Sequence, residues 1–280
     1  MIYMLISAKV TKKLNEILNE FMMLLDERFP NRIQGLYIYG SAVLGDFHLN
    51  KSDIDFIVIS DIDFTENDMV NIEEIHGIMD KKQKKPNLNG IYITWDRIGK
   101  FESEISSYPY ICDGKVDKGY FECNSITWFQ LKNQAKCFRN TSKYVMNFEV
   151  DMDKILWELI DNMNSYWRGI LQKYKKYAVT HGAINSIINE DIEWSVLSVS
   201  RQYYTFNEKN IVCKSEAGIY TMEHVPYRFN KILQEALNVR REEGDTLYRS
   251  KVKRLKDTIE FMEYIIKECN DIMMGKRDGA

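Results

Sequence analysis

Two aspartates spaced two residues apart, Asp53 and Asp55, are the residues of this sequence whose types and spacing point most directly to chemistry. They open residues 53–59, which read DIDFIVI and have the apolar pattern of a buried β-strand. Successive strand side chains alternate between faces, so the two carboxylates point the same way. Placed together they repel each other unless a cation lies between them. Hard oxygen ligands of this kind suit Mg²⁺ that carries the phosphates of a nucleotide.

A Gly-Ser pair about a dozen residues earlier supplies what a phosphate needs. The apolar run at 37–39 ends at Gly40 and Ser41. Gly40 lets the backbone approach a ligand closely, and Ser41 offers a hydroxyl and an amide at a predicted helix start. An Asp-x-Asp or a Gly-Ser alone is usually a turn or a helix cap. The ordered combination of strand, Gly-Ser, short connection, Ser-Asp-x-Asp and strand is far more specific.

With these motifs in this order, the chain resembles the DNA polymerase β-like nucleotidyltransferase superfamily, whose signature is Gly-Ser followed by Asp-x-Asp at about this distance. The resemblance implies that Asp53 and Asp55 are catalytic and bind Mg²⁺. It also implies that Gly40, Ser41 and Ser52 bind the phosphates of ATP, the co-substrate.

The composition is that of an ordinary water-soluble protein with one large or two medium domains, at 280 residues, 45% hydrophobic and 28% charged. A net charge of −3 lacks the basic excess typical of phosphate-backbone binders, so we expect no nucleic-acid partner. Five cysteines without a CxxC pair indicate reduced thiols. With no signal-peptide pattern and no run of membrane-spanning length, we expect a cytoplasmic protein without a membrane partner.

Hydrophobic periodicity predicts two domains of different class. In the first, helices are expected at 8–28 and 65–80, strands at 35–39, 54–60 and 88–94, and a loop-rich stretch at 99–124. This order predicts an α/β N-terminal domain, residues 1–124, with a mixed sheet and flanking helices. From 125 to 280 the pattern is nearly all helical, which predicts an all-α C-terminal bundle. Its expected helices are 126–136, 151–175, 190–206, 214–221, 227–242 and 246–273.

The helical half narrows the resemblance. Residues 191–201 read DIEWSVLSVSR and residues 210–218 read NIVCKSEAG. These segments resemble the helical domain of the bacterial aminoglycoside (3″)(9) adenylyltransferases, which add AMP from ATP to a hydroxyl of streptomycin or spectinomycin. The resemblance implies that Arg201 and Lys214 bind the ATP phosphates and that Asp191 contacts the cationic drug. Simpler roles stay open: Arg201 could pair with a carboxylate, Lys214 could be solvated, and Asp191 could be helix-terminal charge.

The sequence departs from the resembled family at the general base, a Glu on the third strand that shares a face with the Asp pair. Gly90 falls at that position, and Asn89, expected on the opposite face, is not a base. Either the base comes from elsewhere, with Asp96, Asp113 and Glu122 as candidates and Glu122 the leading one, or the reaction runs differently, or activity is lost. This departure predicts weak or absent transfer to streptomycin.

A second departure concerns the acceptor pocket. The family's aromatic-and-proline segment, with its substrate-contacting Trp, is missing after the third strand. Trp128, with its neighbours Asn124 and Thr127, is therefore predicted to lie nearest the acceptor.

The function that these expectations imply is Mg²⁺- and ATP-dependent transfer of AMP to a hydroxyl of an aminoglycoside or aminocyclitol antibiotic, by a monomer. One alternative is a catalytically altered nucleotide-binding protein of the same fold. Another is a nucleotidyltransferase with a non-drug acceptor, either a protein or a small molecule. The sequence leaves the acceptor, its hydroxyl and the nucleotide preference open.

Overall fold

The computed structural model describes residues 8–83, 85–141, 146–179 and 187–277. The chain divides into two compact units, Met1–Val150 and Asp151–Ala280. Across the described ranges, no helix is both long and apolar enough to cross a membrane.

The first unit is built on a six-stranded mixed sheet with the strand order β5-β4-β3-β2-β1-β6. Only β2 and β3 pair in parallel, and the other neighbours are antiparallel. This is the mixed α/β architecture that the sequence predicts. The strands are β1 (Ile33–Tyr39), β2 (Ile54–Ser60), β3 (Leu88–Thr94), β4 (Tyr108–Cys112), β5 (Lys115–Gly119) and β6 (Lys136–Asn140), and the helices are α1 (Ala8–Arg28), α2 (Ser41–Leu44), α3 (Glu66–Lys82) and α4 (Ser125–Asn133).

Alternation along the central strands creates two cores, one on each face of the sheet. On one face Phe56 of β2 packs with Phe21 of α1 and Ile75 of α3. On the other face Ile57 of β2 packs with Trp128 of α4. Because both faces are covered, β2 and β3 are apolar along nearly their whole length, and the polar residues at their beginnings stand out.

Three strands lie where the sequence predicts none. The hairpin of β4 and β5 falls inside the stretch 99–124 that was expected to be loop-rich, and Asp113 and Gly114 form its two-residue turn with φ of 49° and 76°. The β5 segment reads KVDKG and is mostly exposed, so it lacks the hydrophobic signal of a strand. β6 begins at residue 136, the last residue of the predicted helix 126–136, and it pairs with β1. The first unit therefore extends to Val150, whereas the sequence predicts a domain boundary at 124.

The second unit is helical throughout its described residues, as the sequence predicts. Its helices are α5 (Met152–Asn162), α6 (Arg168–Val179), α7 (Asn189–Glu208), α8 (Lys214–His224), α9 (Asn230–Arg241) and α10 (Lys251–Arg277), and a π-helical turn, Met163–Trp167, joins α5 to α6. α7 packs against α8, α9 and α10. Charged residues on α7, α8 and α9 can therefore meet.

Candidate active site

The Asp pair lies at the beginning of β2, on the face of the sheet that α4 covers. Asp55 is flanked by Tyr39, its antiparallel partner on β1, and by Asn89, its parallel partner on β3. Paired residues share a face, so these three side chains form one row across the sheet. Asp53 precedes β2 by one residue, and by alternation it points to the same face as Asp55.

Gly40 brings the backbone directly against the Asp55 carboxylate. Its φ of 67° and ψ of −147° lie where side-chain-bearing residues are strained. A Cβ on Gly40 would lie 2.1 Å from Asp55 Oδ2. Ser41 follows as the first residue of α2 and is half-buried. The Gly-Ser motif and the Asp-x-Asp motif therefore meet in space.

The carboxylates are placed where a cation fits. Lys85 Nζ lies 3.1 Å from Asp53 Oδ1, and 30% of the Asp53 side chain is exposed. No cluster of three or more His, Cys, Asp and Glu side chains suited to a metal occurs within the described part of the chain. Mg²⁺ commonly takes only one or two carboxylates and completes its shell with water and substrate phosphates. Asp53 and Asp55 fit an ion that arrives with a nucleotide.

The prediction that Gly90 stands at the position of the family's base is wrong. Gly90 pairs with Phe56, on the opposite face from Asp55. A Cβ there would lie 2.2 Å from the Phe56 carbonyl oxygen, so the glycine serves the close packing of β2 and β3. Asn89 is the β3 residue on the carboxylate face, and its Oδ1 accepts a hydrogen bond from the Asp113 amide at 3.0 Å. An Asn side chain cannot take up a proton, so the third strand still supplies no base.

Of the candidate bases, Asp96 is excluded by topology. It follows the carboxyl end of β3, whereas Asp55 lies at the beginning of the parallel strand β2. A seven-residue strand separates these ends by about 20 Å. Asp96 therefore cannot reach a hydroxyl held at the Asp pair.

Glu122 lies in the electrostatic surroundings of the Asp pair. The pKa of the Tyr39 hydroxyl is raised well above its ordinary value by burial first, and then by the charges of Glu122 and Asp55. The pKa of the Cys112 thiol is raised by burial and then by the charges of Asp113, Glu122 and Asp53. Asp113 and Glu122 therefore both belong to the same neighbourhood.

The Glu122 carboxylate is held by a residue in the first turn of α4. Thr127 Oγ1 donates a hydrogen bond to Glu122 Oε2 at 2.5 Å. The backbone of Glu122 is left-handed, with φ of 59°, which is uncommon for a residue with a side chain. Strain of this kind clusters at functional sites, because the surrounding structure must maintain it.

A group of charged side chains occupies the second unit, where α7, α8 and α9 pack together. Lys214 Nζ lies 3.1 Å from Glu193 Oε1, and Arg240 Nη1 lies 3.7 Å from the same oxygen. The pKa of Lys214 is lowered by burial and by the charges of Arg240 and Arg201, against the opposing effect of Glu193. Arg201 itself is exposed. We call Glu193, Arg201, Lys214 and Arg240 the α7–α9 cation cluster.

Comparison with known families agrees with both units. Residues 18–119 match the model of the nucleotidyltransferase domain, and residues 162–267 match that of the aminoglycoside adenylyltransferase C-terminal domain. The chain is a nucleotidyltransferase that resembles the aminoglycoside adenylyltransferases. Its fold is similar to that of spectinomycin adenyltransferase AAD(9) from Enterococcus faecialis, whose crystal structure contains ATP and spectinomycin. The TM-score is 0.63 at 15% identity, over 90% of this chain and 99% of that one. A search of curated proteins found no match.

Three predicted site residues of this nucleotidyltransferase have structural tasks. Ser52 is 5% exposed, and its Oγ accepts a hydrogen bond from the His48 amide at 3.0 Å, which fixes the turn before the Asp pair. Trp128 is 1% exposed and donates from Nε1 to the Lys100 carbonyl oxygen at 3.0 Å, so it lies in the core with no surface for an acceptor. Asp191 Oδ2 accepts from the Ile188 amide at 2.9 Å and caps α7.

Sequence reasoning missed three residues that the structure places among the candidate site residues. The sequence predicts the wrong face for Asn89. Glu193 lies within the segment 191–201 that carries the family resemblance, but the sequence predicts no role for it, and Arg240 stands in no motif. Only the packing of three helices brings Glu193 and Arg240 to Lys214. Their one signal in the sequence is a charged residue inside an otherwise apolar helical pattern.

Proposed function

We propose that this nucleotidyltransferase transfers AMP from ATP to a hydroxyl of a small cationic acceptor of the aminocyclitol or aminoglycoside type. The observation that carries the proposal is the contact of the Gly40 backbone with the Asp55 carboxylate, beside Asp53. Two partly exposed carboxylates against a glycine backbone form a place for a metal-bound phosphate.

Asp53 and Asp55 would hold Mg²⁺, which neutralises charge on the phosphates when it is bound. The backbone at Gly40 and the hydroxyl of Ser41 would bind phosphate oxygens next to these carboxylates. Arg201 and Lys214 of the second unit are proposed to bind the polyphosphate of ATP, because hydrogen bonds between cationic side chains and phosphate oxygens are strong.

The proposed reaction is an in-line displacement at the α-phosphorus. A bond forms between the acceptor oxygen and the α-phosphorus, the bond to the bridging oxygen of the β-phosphate breaks, and pyrophosphate leaves. The proton of the acceptor hydroxyl passes to the Glu122 carboxylate. A sugar hydroxyl holds its proton at neutral pH, so a positioned carboxylate lowers the barrier. Glu122 is proposed for this role because it acts on the same Tyr39 hydroxyl as Asp55 and because Asn89 cannot serve.

The acceptor class is proposed from the likeness of the fold to that of AAD(9), which was crystallised with spectinomycin. The net charge of −3 suits a cationic acceptor, and Asp191 is the residue proposed to contact it. Transfer to streptomycin is expected to be weak, because the base lies off the third strand. We further propose that the protein acts as a cytoplasmic monomer.

A pyrophosphate-release screen tests the proposal. The protein is incubated with ATP and Mg²⁺ against spectinomycin, streptomycin, other aminoglycosides and lincosamides. We expect acceptor-dependent release with at least one compound, and about a 10²- to 10⁴-fold loss in Glu122→Gln, the usual contribution of general base catalysis. Efficient transfer to streptomycin with an unaffected Glu122→Gln variant would contradict the assignment of the base.

A second candidate is a nucleotide-binding protein of the same fold that has lost transfer activity. Asn89 on the carboxylate face favours it, because the third carboxylate is replaced by an amide. Calorimetry distinguishes the two candidates: tight Mg-ATP binding without pyrophosphate release from any acceptor would support the second.

A further inference from the structure

The first unit contains a cavity at the end of the sheet away from the Asp pair. It has a volume of about 130 Å³ and lies at the carboxyl end of β3, beside β4 and β5. The Asp pair lies at the beginning of the parallel strand β2, about 20 Å away along a strand of seven residues. Because a cavity of about 150 Å³ admits benzene, this cavity has room for about six non-hydrogen atoms.

Cationic and hydroxyl side chains from three segments line this cavity. Arg97, in the 3₁₀ turn after β3, and Lys118 of β5 contribute positive charge. Thr94 at the end of β3, with Ser106 and Ser107 before β4, contributes hydroxyls. We call the cavity lined by these five residues the β3-end cavity. Donors of these kinds suit a small anion that has several oxygen atoms.

Both cations are paired with carboxylates that remain largely in solvent. Arg97 Nη2 lies 2.6 Å from Asp63 Oδ2, and 60% of the Asp63 side chain is exposed against 14% of Arg97. Lys118 Nζ lies 2.9 Å from Glu66 Oε1, and 81% of the Glu66 side chain is exposed. Exposed ion pairs contribute little to stability, because water screens them. An anion in the cavity can therefore share these cations without breaking a buried pair.

The guanidinium of Arg97 keeps donors for a ligand. A guanidinium carries five N–H donors in a planar fork. Within the ranges that the structure describes, Arg97 donates one hydrogen bond, to the Asp63 carboxylate. Its remaining N–H groups suit two oxygens of one anion at once.

Thr94 supplies a second indication that a ligand belongs here. The residue is 4% exposed, and its Oγ1 has no hydrogen-bond partner among the described residues. Buried hydroxyls are nearly always hydrogen-bonded, so an orphaned one needs an explanation. Because Thr94 lines a cavity that also holds two cations, an anion there can accept its hydrogen bond.

We propose that the β3-end cavity binds inorganic phosphate. Arg97 and Lys118 bind its charged oxygens, and the Thr94 hydroxyl donates a further hydrogen bond. Asp63 also lines the cavity, and its carboxylate accepts from the P–OH group that inorganic phosphate keeps at neutral pH. Sulfate has no such proton, and a phosphate monoester has largely lost it. The inference is independent of the proposed AMP transfer.

Calorimetric titration of the full chain with phosphate, without Mg²⁺, tests the site. We expect one saturable site with a Kd of about 1 mM or tighter, which a ligand of about five non-hydrogen atoms can reach. Arg97→Gln and Lys118→Gln should each weaken binding about 10- to 100-fold, the loss of one charge-assisted contact. Lys115→Gln is the matched control. It removes the same charge from β5 at a side chain that is 80% exposed and outside the cavity, so the affinity should stay unchanged.

Thr94→Val separates ligand binding from a purely structural role. Valine keeps the shape of the side chain and removes a hydroxyl that has no partner among the described residues. The phosphate-free variant should therefore be at least as stable in urea as the wild type, while its phosphate affinity falls about 2- to 10-fold. Greater stability with unchanged affinity would overturn the role of Thr94.

Asp63→Asn tests the preference for phosphate over sulfate. The wild type should bind phosphate about 10-fold more tightly than sulfate, the effect of one hydrogen bond to a charged group. The variant should lose most of this preference, because an amide can donate to either anion. Equal affinities for the two anions in the wild type would overturn the role of the phosphate proton.

Lys214→Gln distinguishes this cavity from the proposed ATP site, and it should leave the affinity of the cavity unchanged. The proposal is overturned if no saturable binding occurs below about 10 mM, tenfold above the expected constant. It is also overturned if Lys214→Gln weakens binding while Arg97→Gln and Lys118→Gln do not. Urea unfolding shows whether each variant folds. Lys118→Gln carries the test if Arg97→Gln does not, because the Lys118 side chain is 38% exposed.

Discussion

Gly40→Ala is expected to disable the site by displacing the Asp55 carboxylate. The new Cβ would lie 2.1 Å from Asp55 Oδ2, whereas ordinary contact begins at 3.4 Å. The carboxylate must retreat by about 1.3 Å, or the backbone must shift by a similar amount. The left-handed φ of 67° adds strain of about 1–3 kcal/mol for a residue with a side chain.

A displacement of about 1 Å at a catalytic group typically costs about 10²-fold in rate. We therefore expect Gly40→Ala to lower kcat/KM for pyrophosphate release by about 10²-fold or more, while the melting temperature falls by only a few degrees. The assay is pyrophosphate release with the best acceptor of the screen, run beside thermal unfolding of the same preparation.

Gly77→Ala is the matched control, because a Cβ at this position of α3 would meet nothing within 4 Å. Replacing a helical Gly by Ala should stabilise the fold by about 0.5–1 kcal/mol and leave turnover unchanged. A folded Gly40→Ala variant with near wild-type turnover would refute the claim that the Gly40 backbone and the Asp55 carboxylate form one phosphate site.

Two further predictions concern charge. Lys85→Met removes a cation that competes with a metal ion at Asp53. The Lys85–Asp53 ion pair is partly exposed and worth at most about 1 kcal/mol, so the affinity for Mn²⁺, measured by paramagnetic resonance, should rise by up to about fivefold. Weaker Mn²⁺ binding in this variant would contradict the competition. His76 is buried against Tyr92, and burial lowers its pKa from 6.5 to about 3, so the unfolded chain takes up a proton as the pH falls below about 6.5 while the folded protein does not. The contribution of the neutral His76 side chain to the free energy of unfolding is complete above pH 6.5 and declines toward pH 3, by about 2 kcal/mol between pH 6.5 and 5. Urea titrations at several pH values should therefore show a steeper loss of stability in the wild type than in His76→Phe.

The sequence predicted the central elements of the first unit because their signals are local. Residues 54–60 and 88–94 are continuous apolar runs, and the two motifs that flank β2 mark its beginning. The β4–β5 hairpin was missed because β5 is exposed and carries Lys and Asp side chains, so its pairing with β4 leaves little trace in its composition.

The face of β3 that carries Asn89 could not be read from the sequence. A strand buried on both faces shows no alternation of polarity, so nothing along residues 88–94 tells which positions point toward the Asp pair. Only the pairing of Asp55 with Asn89 sets that phase. A shift of one residue along any strand moves each side chain to the opposite face. Such a shift is why the sequence predicts Gly90, and not Asn89, on the face of the Asp pair.

Two of the four residues of the α7–α9 cation cluster could be predicted from the sequence. The family resemblance identifies Arg201 and Lys214 through their spacing, whereas the contacts of Glu193 with Lys214 and Arg240 arise only through the packing of three helices. Trp128 shows the converse limit. Its residue type predicts a ligand contact, but in the structure Trp128 is buried among the apolar side chains between the sheet and α4 and serves the core.

The most direct test of AMP transfer at the Asp pair is the mass of the acceptor after incubation with ATP and Mg²⁺. We predict that the wild-type protein adds one AMP group to the acceptor identified by the screen. Asp53→Asn and Asp55→Asn should remain folded and add essentially none, because each removes a metal-binding charge next to the Gly40 backbone. An acceptor that gains AMP equally well with either variant would contradict the account.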